Sequence, residues 1–169
     1  RHIPLFDSLA PVDALLSSST PFSLAERYVS AVEICGPALG KVATTIAEAS
    51  EGIVLFNCTA GKDRTGIVAA MLLGLAGVPW DDIVQDYALT ASTAASLIKR
   101  LREAALLRGL SAEAAAILLA SEPETMRVFL GHVADRYGGF SQYLSRAGVS
   151  DGHIDRLVER LVSRQVEIA

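Results

Sequence analysis

A short apolar run, Ile53-Val-Leu-Phe56, leads into Asn57-Cys58-Thr-Ala-Gly-Lys-Asp-Arg64-Thr-Gly66, and a strongly apolar stretch follows as far as Trp80. Four to six apolar residues bounded by turn formers predict a buried strand, and the longer stretch after them predicts a helix. Between the two, a Cys-x5-Arg loop is short enough to wrap around one tetrahedral anion. Its backbone N–H groups can point inward, and the N-terminus of the following helix adds positive potential. Arg64 can offer a planar fork to two oxygens of that anion. Cys58, at the floor of the cup, would have its thiolate stabilised by the same donors. These features predict a phosphate held beside a sulfur nucleophile, with Thr59, Ala60, Gly61, Lys62, Asp63 and Arg64 forming the phosphate-binding loop. The Gly61-Lys62 pair does not make a nucleotide-binding loop: Asp63 stands where Ser or Thr should follow, and the upstream glycine is absent.

Only a thiolate attacks phosphorus well, and a free thiol is mostly protonated at neutral pH. Lowering its pKa from about 8.5 to about 5.5 needs roughly 4 kcal/mol of differential stabilisation. The loop N–H groups, the helix N-terminus, Arg64 and Lys62 are the candidate sources. Thr65, next to the arginine, is placed to donate its hydroxyl to the sulfur and help the leaving step. The expected reaction is attack by Cys58, a phosphocysteine intermediate, and hydrolysis, with the loop donors holding the equatorial oxygens. A leaving ester oxygen also needs a general acid. Asp63 within the loop and Asp7 at the end of the first extended segment are the two candidates, each with a plain alternative as a loop or turn carboxylate.

Outside the loop, His2-Ile-Pro-Leu-Phe6 reads as a short extended segment, with Pro4 placing it at an edge. A loop with Pro11, Ser17–Ser19 and Pro21 follows. Ser23 begins a helix to about Ile34 with Ala25, Tyr28, Val29 and Val32 inward. Gly36-Pro37 starts the next helix, to about Ala49. After the loop, helices are predicted from about Thr65 to Leu75, from Asp81, across 90–120 with a break at Gly109-Leu-Ser111, from Pro123 to Tyr137, up to Arg146, and from Asp151. Ile154, Leu157, Leu161 and Val162 fall on one face of the last. Trp80 is expected as core beneath the loop. Arg100, Arg102 and Arg108 fit a solvated helix face better than a pocket rim, and His2, His132 and His153 read as surface or capping residues.

The resulting fold class is α/β: a central parallel sheet flanked by helices, with a helical C-terminal half. The 169 residues suggest one domain over 1–169, and 51% apolar with 20% charged residues suits a packed core. Two strands cannot make a stable sheet alone, so a segment preceding residue 1 is expected. The net charge of −4 offers no general attraction for nucleic acid. The Gly66–Trp80 stretch is fifteen residues, too short for a transmembrane helix. Arg1-His-Ile-Pro-Leu lacks the parts of a signal peptide. Cys35 and Cys58 are too few for a disulfide framework or a zinc site, and Cys35 reads as a small apolar helix residue.

From Cys58 through Gly66 the chain resembles the bacterial protein tyrosine phosphatases of the mycobacterial phosphatase B type. The similarity extends to Ile3-Pro-Leu-Phe-Asp7, Asp86-Tyr87, Tyr137-Gly-Gly-Phe-Ser-Gln-Tyr-Leu144 and Gly148-Val-Ser150. The resemblance implies a bacterial enzyme, cytoplasmic or secreted. It would act on phosphotyrosine and, by dual or broader specificity, on phosphoserine, phosphothreonine and phosphoinositides, without a metal or other cofactor. Substrates, as partners, would thus be phosphorylated proteins or phosphoinositides. It also implies Cys58 as nucleophile, Arg64 as phosphate clamp, Lys62 and Asp63 as loop residues shaping specificity, and a mobile lid from helices within about 90–120. Asn57 stands where that family has histidine; asparagine can donate a hydrogen bond but cannot carry charge, so a raised Cys58 pKa and weakened activity relative to a histidine version are expected. The family's Asn-Phe-Arg-Asp-like segment and Asp-Leu-Arg strand are missing here. Two competing readings are a phosphate-binding module without turnover and a thiol redox enzyme pairing Cys35 with Cys58.

Overall fold

The computed structural model describes residues 1–6 and 22–162. Among these residues there are ten helices and no strand. In chain order the helices are α1 (Leu24–Ile34), α2 (Gly36–Ala47), α3 (Asp63–Leu75), α4 (Trp80–Ala88), α5 (Thr90–Thr93), α6 (Ala95–Leu107), α7 (Ala112–Leu119), α8 (Pro123–Tyr137), α9 (Phe140–Arg146) and α10 (Asp151–Leu161). Asp7 and the expected loop with Pro11, Ser17–Ser19 and Pro21 lie outside the described residues.

Local chemistry sets most boundaries. The Ser23 hydroxyl accepts from the Glu26 N–H at 3.3 Å and starts α1, and the Ser111 hydroxyl accepts from the Ala114 N–H at 3.0 Å and starts α7. The Ser150 hydroxyl accepts from the His153 N–H at 3.3 Å and starts α10. Pro37 and Pro123 sit in the first turns of α2 and α8, where a missing N–H costs nothing.

Helix α3 is apolar on several sides because it is surrounded. Ile67, Val68, Ala70, Met71 and Leu72 are buried, with α4, α9 and α10 packed around it. Helix α8 joins α1 and α4 on one side of the molecule, and α10 lies on α2 on the other. Tyr28, Phe129, Leu130, Met126, Met71 and Leu39 form the centre of the core. Among the described residues no helix is long and apolar enough to cross a membrane.

The expected central parallel sheet is not found; the described fold is mainly helical. A strand exists only through a ladder partner, and among the described residues none runs beside residues 53–56. Their burial still alternates as in an extended chain: Val54 and Phe56 pack against the core, while Ile53 and Leu55 are 99% and 87% exposed. The segment is therefore half-buried, not the fully buried strand expected. Ile3 and Leu5 share a groove of about 400 Å³ with Val54, Leu55 and Phe56, but no ladder of hydrogen bonds joins the two segments. Trp80 also departs from expectation: it opens α4 and is 51% exposed. Ala25 and Val29 are only half-buried, Ala31 and Leu24 taking their places, and Leu161 and Val162 are exposed.

Helices α6 and α7 form a hairpin whose members pack chiefly on each other. No residue of α6 is fully buried, and on α7 only Ala115 is.

Candidate active site

The loop between the extended segment and α3 turns back on Cys58, with the N–H groups of Ala60, Gly61 and Thr65 directed at its sulfur. Gly61 has φ 68°, a left-handed conformation that glycine adopts without strain. Helix α3 starts earlier than the sequence suggests, at Asp63, so Arg64 and Thr65 lie in its first turn. Their N–H groups precede the first intrahelical acceptor pair, in which the Gly66 N–H donates to Lys62 O at 2.7 Å. Unsatisfied first-turn donors are what an anion or thiolate needs.

Cys58 is half-buried, and burial alone would push its thiol up. The Thr65 hydroxyl and the N–H groups of Thr65, Ala60 and Gly61 outweigh that cost, and the net pKa lies below that of an ordinary thiol. The leading causes of that lowering are the hydroxyl and amides of the loop itself. Thr65 Oγ1 is buried with no well-aligned hydrogen-bond partner, although it is close enough to the sulfur to favour the thiolate. A hydroxyl in that position donates fully only when the sulfur is charged.

Arg64 closes the cup from its lip, its Nη2 donating to Thr59 Oγ1 at 2.9 Å. Phe6 lies beneath two guanidiniums, that of Arg64 at 5.8 Å and that of Arg27 at 5.3 Å from the ring centre. Cys58 and Arg64 border two hollows. One, of about 180 Å³, is lined also by Thr59, Ala60, Asp63, Phe6, Tyr28 and Leu118. The other is the apolar groove of about 400 Å³ beside residues 53–56.

Asp63 and Lys62 are engaged elsewhere. Asp63 Oδ1 accepts from Lys62 Nζ at 2.7 Å and from the Tyr28 hydroxyl at 2.8 Å. Tyr28 in turn meets the Tyr87 hydroxyl at 3.1 Å. Lys62 is 1% exposed, and its ammonium lines neither hollow. Gly66 lets α3 approach this tyrosine pair: a Cβ there would stand 3.1 Å from the Tyr87 ring. Asn57 is exposed, its Nδ2 donating to Cys58 O at 3.3 Å. Arg100, Arg102 and Arg108 are exposed and line neither hollow. Cys35 is buried at the junction of α1 and α2 as a free thiol.

The sequence marks Tyr28 only as inward-facing and Tyr87 only within the Asp86-Tyr87 resemblance, and it does not assign Phe6, Arg27 or Leu118 to the site. The tyrosines carried one signal, a hydroxyl on an apolar helix face, which must find a partner once buried.

A sequence model of the tyrosine phosphatase family matches residues 12–163. The chain is 38% identical over 151 residues to a tyrosine-protein phosphatase of Nostoc commune, covering 86% of this chain and 51% of that protein. It is 30% identical over 131 residues to the triple specificity protein phosphatase PtpB of Mycobacterium tuberculosis, covering 71% of this chain and 47% of that protein. The chain thus spans about half the length of these curated relatives. The match over nearly its whole length, together with a thiol acidified by loop amides, leads to one assignment: the chain belongs to the tyrosine phosphatase family.

Proposed function

We propose that the protein hydrolyses phosphate monoesters, phosphotyrosine foremost, by nucleophilic attack of the Cys58 thiolate on phosphorus. The observation that carries this reading is the convergence of the Ala60, Gly61 and Thr65 N–H groups on a sulfur whose pKa is lowered, within a cavity shared with Arg64. A phosphoryl group in that cavity would take the loop amides on its equatorial oxygens, and Arg64 would exchange its bond to Thr59 for a fork to two of them.

In the first step an S–P bond forms as the ester P–O bond breaks, and the leaving oxygen takes a proton from a carboxylic acid. In the second, water attacks phosphorus, the carboxylate takes the water's proton, and the thiolate leaves with help from the Thr65 hydroxyl. Of the two candidate acids, Asp63 already spends Oδ1 on Lys62 and Tyr28. Asp7 is therefore the acid we favour; its neighbour Phe6 lines the same cavity. The groove beside residues 53–56 and the 180 Å³ cavity meet at Cys58, leaving room for substrates broader than a phosphotyrosine ring, such as a phosphoinositide headgroup.

Turnover of p-nitrophenyl phosphate by the wild type and its loss in Cys58→Ser tests the nucleophile. A panel of phosphotyrosine, phosphoserine and phosphothreonine peptides beside phosphoinositides tests breadth. Asp7→Asn should slow an ester with a poor leaving group more than p-nitrophenyl phosphate. Tight phosphate binding with no turnover by the wild type would instead establish a phosphate-recognising module, the reading that Asn57 favours.

A further inference from the structure

The ammonium of Lys62 has every donor committed. It has three N–H donors and three acceptors: Asp63 Oδ1 at 2.7 Å, Leu118 O at 3.1 Å and Ala120 O at 2.8 Å. Two of those acceptors are carbonyls at the end of α7, left without intrahelical donors and at the negative end of the helix dipole. They lie 56 and 58 residues further along the chain than Lys62. The α6–α7 hairpin otherwise packs mainly on itself. Lys62 therefore ties the far end of the hairpin to the phosphate loop and seats Leu118 on the wall of the 180 Å³ cavity.

The same ammonium holds Asp63, and Asp63 holds Tyr28, which meets Tyr87. One hydrogen-bonded line thus runs from α7 through the loop into α1 and α4. With α7 seated, no donor of Lys62 is left for a bound anion. With α7 displaced, a cation buried to 1% exposure loses two acceptors, and Lys62 and its neighbour Asp63 must rearrange to find others.

We propose that Lys62 is a positioning residue that locks the end of α7 to the Cys58–Arg64 loop, so that the loop holds its anion-binding curl only while the α6–α7 hairpin is seated. The hairpin is then a structural support of the loop as well as a cover for it. Both the loop's readiness for an anion and access to Cys58 depend on the same two carbonyl bonds.

The test perturbs the lock from each end. Lys62→Met removes the donors and keeps much of the volume. Ala115→Trp, at the one fully buried position of α7, overpacks that helix to displace it while changing no residue of the loop. The measurement is the pH midpoint of Cys58 alkylation by iodoacetamide, followed by peptide mapping to separate Cys35, and the protection of Cys58 by inorganic phosphate. Either variant should raise the midpoint and weaken phosphate protection about tenfold, the worth of roughly one charge-assisted hydrogen bond. The double variant should be no worse than the more severe single one. A wild-type midpoint and wild-type protection in Ala115→Trp would overturn the proposal, as would effects that add in the double variant. If Lys62→Met fails to fold, judged by near-ultraviolet circular dichroism, the Ala115→Trp arm still decides. Phosphate that fails to protect the wild type would refute the anion site itself, whereas the alkylation midpoints would still report on the coupling.

Discussion

Cys58 owes its acidity chiefly to short-range donors, since the Thr65 hydroxyl and three backbone N–H groups overcome its burial. The depressed pKa means that the sulfur stays ionised, and reacts with iodoacetamide, at pH values where an ordinary thiol has become inert. Thr65→Val removes the hydroxyl and leaves the backbone in place. Its alkylation midpoint should rise, and turnover should fall about tenfold through the loss of roughly one hydrogen bond to a charged group. Asn57 contributes only a bond to a backbone carbonyl. Asn57→His should move the alkylation midpoint and the acid limb of the pH–rate profile downward, by adding a group able to carry positive charge beside the thiolate; an unmoved profile would count against the weakening role given to Asn57. These effects were readable from the Cys58–Gly66 string because the groups lie within one loop of each other. The destination of Lys62 was not: nothing local marks Leu118 O and Ala120 O as its acceptors, and a lysine in a phosphate loop reads first as an anion ligand.

Helix ends were legible for the same reason of locality. Ser23, Gly36-Pro37, Pro123, Gly138-Gly139 and Ser150 carry their own capping or breaking chemistry, and the observed helices begin and end within a few residues of them. Ile53–Phe56 shows the limit: its apolar run is compatible with a strand, but pairing depends on a partner that no nearby residue specifies. What fixes this segment among the described residues lies at the far end of the chain. Arg160 on α10 donates to Ala49 O at 3.0 Å, Ser50 O at 3.2 Å and Gly52 O at 3.4 Å, setting the entry into residues 53–58. Arg160→Met should destabilise the protein by about 1–3 kcal/mol in urea unfolding and speed amide exchange across 50–56 ahead of α8. The tyrosine pair between α1 and α4 makes a second prediction. Burial first, then the neighbouring Asp63 and Tyr87, hold the Tyr28 phenol well above its ordinary pKa, and burial does the same to Tyr87. Folding therefore keeps both phenols neutral while the unfolded chain ionises near pH 10. Their contribution is complete below that pH and is lost as pH rises beyond it, so Tm should fall through the alkaline range, and fall less in a Tyr28→Phe, Tyr87→Phe double variant.

Over the whole molecule, the core is concentrated where α1, α3, α4 and α8 meet, and the loop rests on that rigid base. Phe129 is fully buried and edge-on to Tyr28 at 6.1 Å; Phe129→Ala should cost about 3–5 kcal/mol and reduce activity only through unfolding, with kcat per folded molecule preserved. The opposite flank is different, with Ile53 and Leu55 facing outward along an extended backbone that has no ladder partner among the described residues. Such an edge invites association. Leu55→Lys should lower concentration-dependent self-association in sedimentation while changing stability by less than about 0.5 kcal/mol. The same flank bears on inhibition. Because the reactive sulfur borders an oily trough on one side and the oxyanion cup on the other, an uncharged compound seated in the trough with a mild electrophile at its tip could disable the nucleophile without mimicking phosphate, avoiding the double negative charge that keeps most such mimics out of cells.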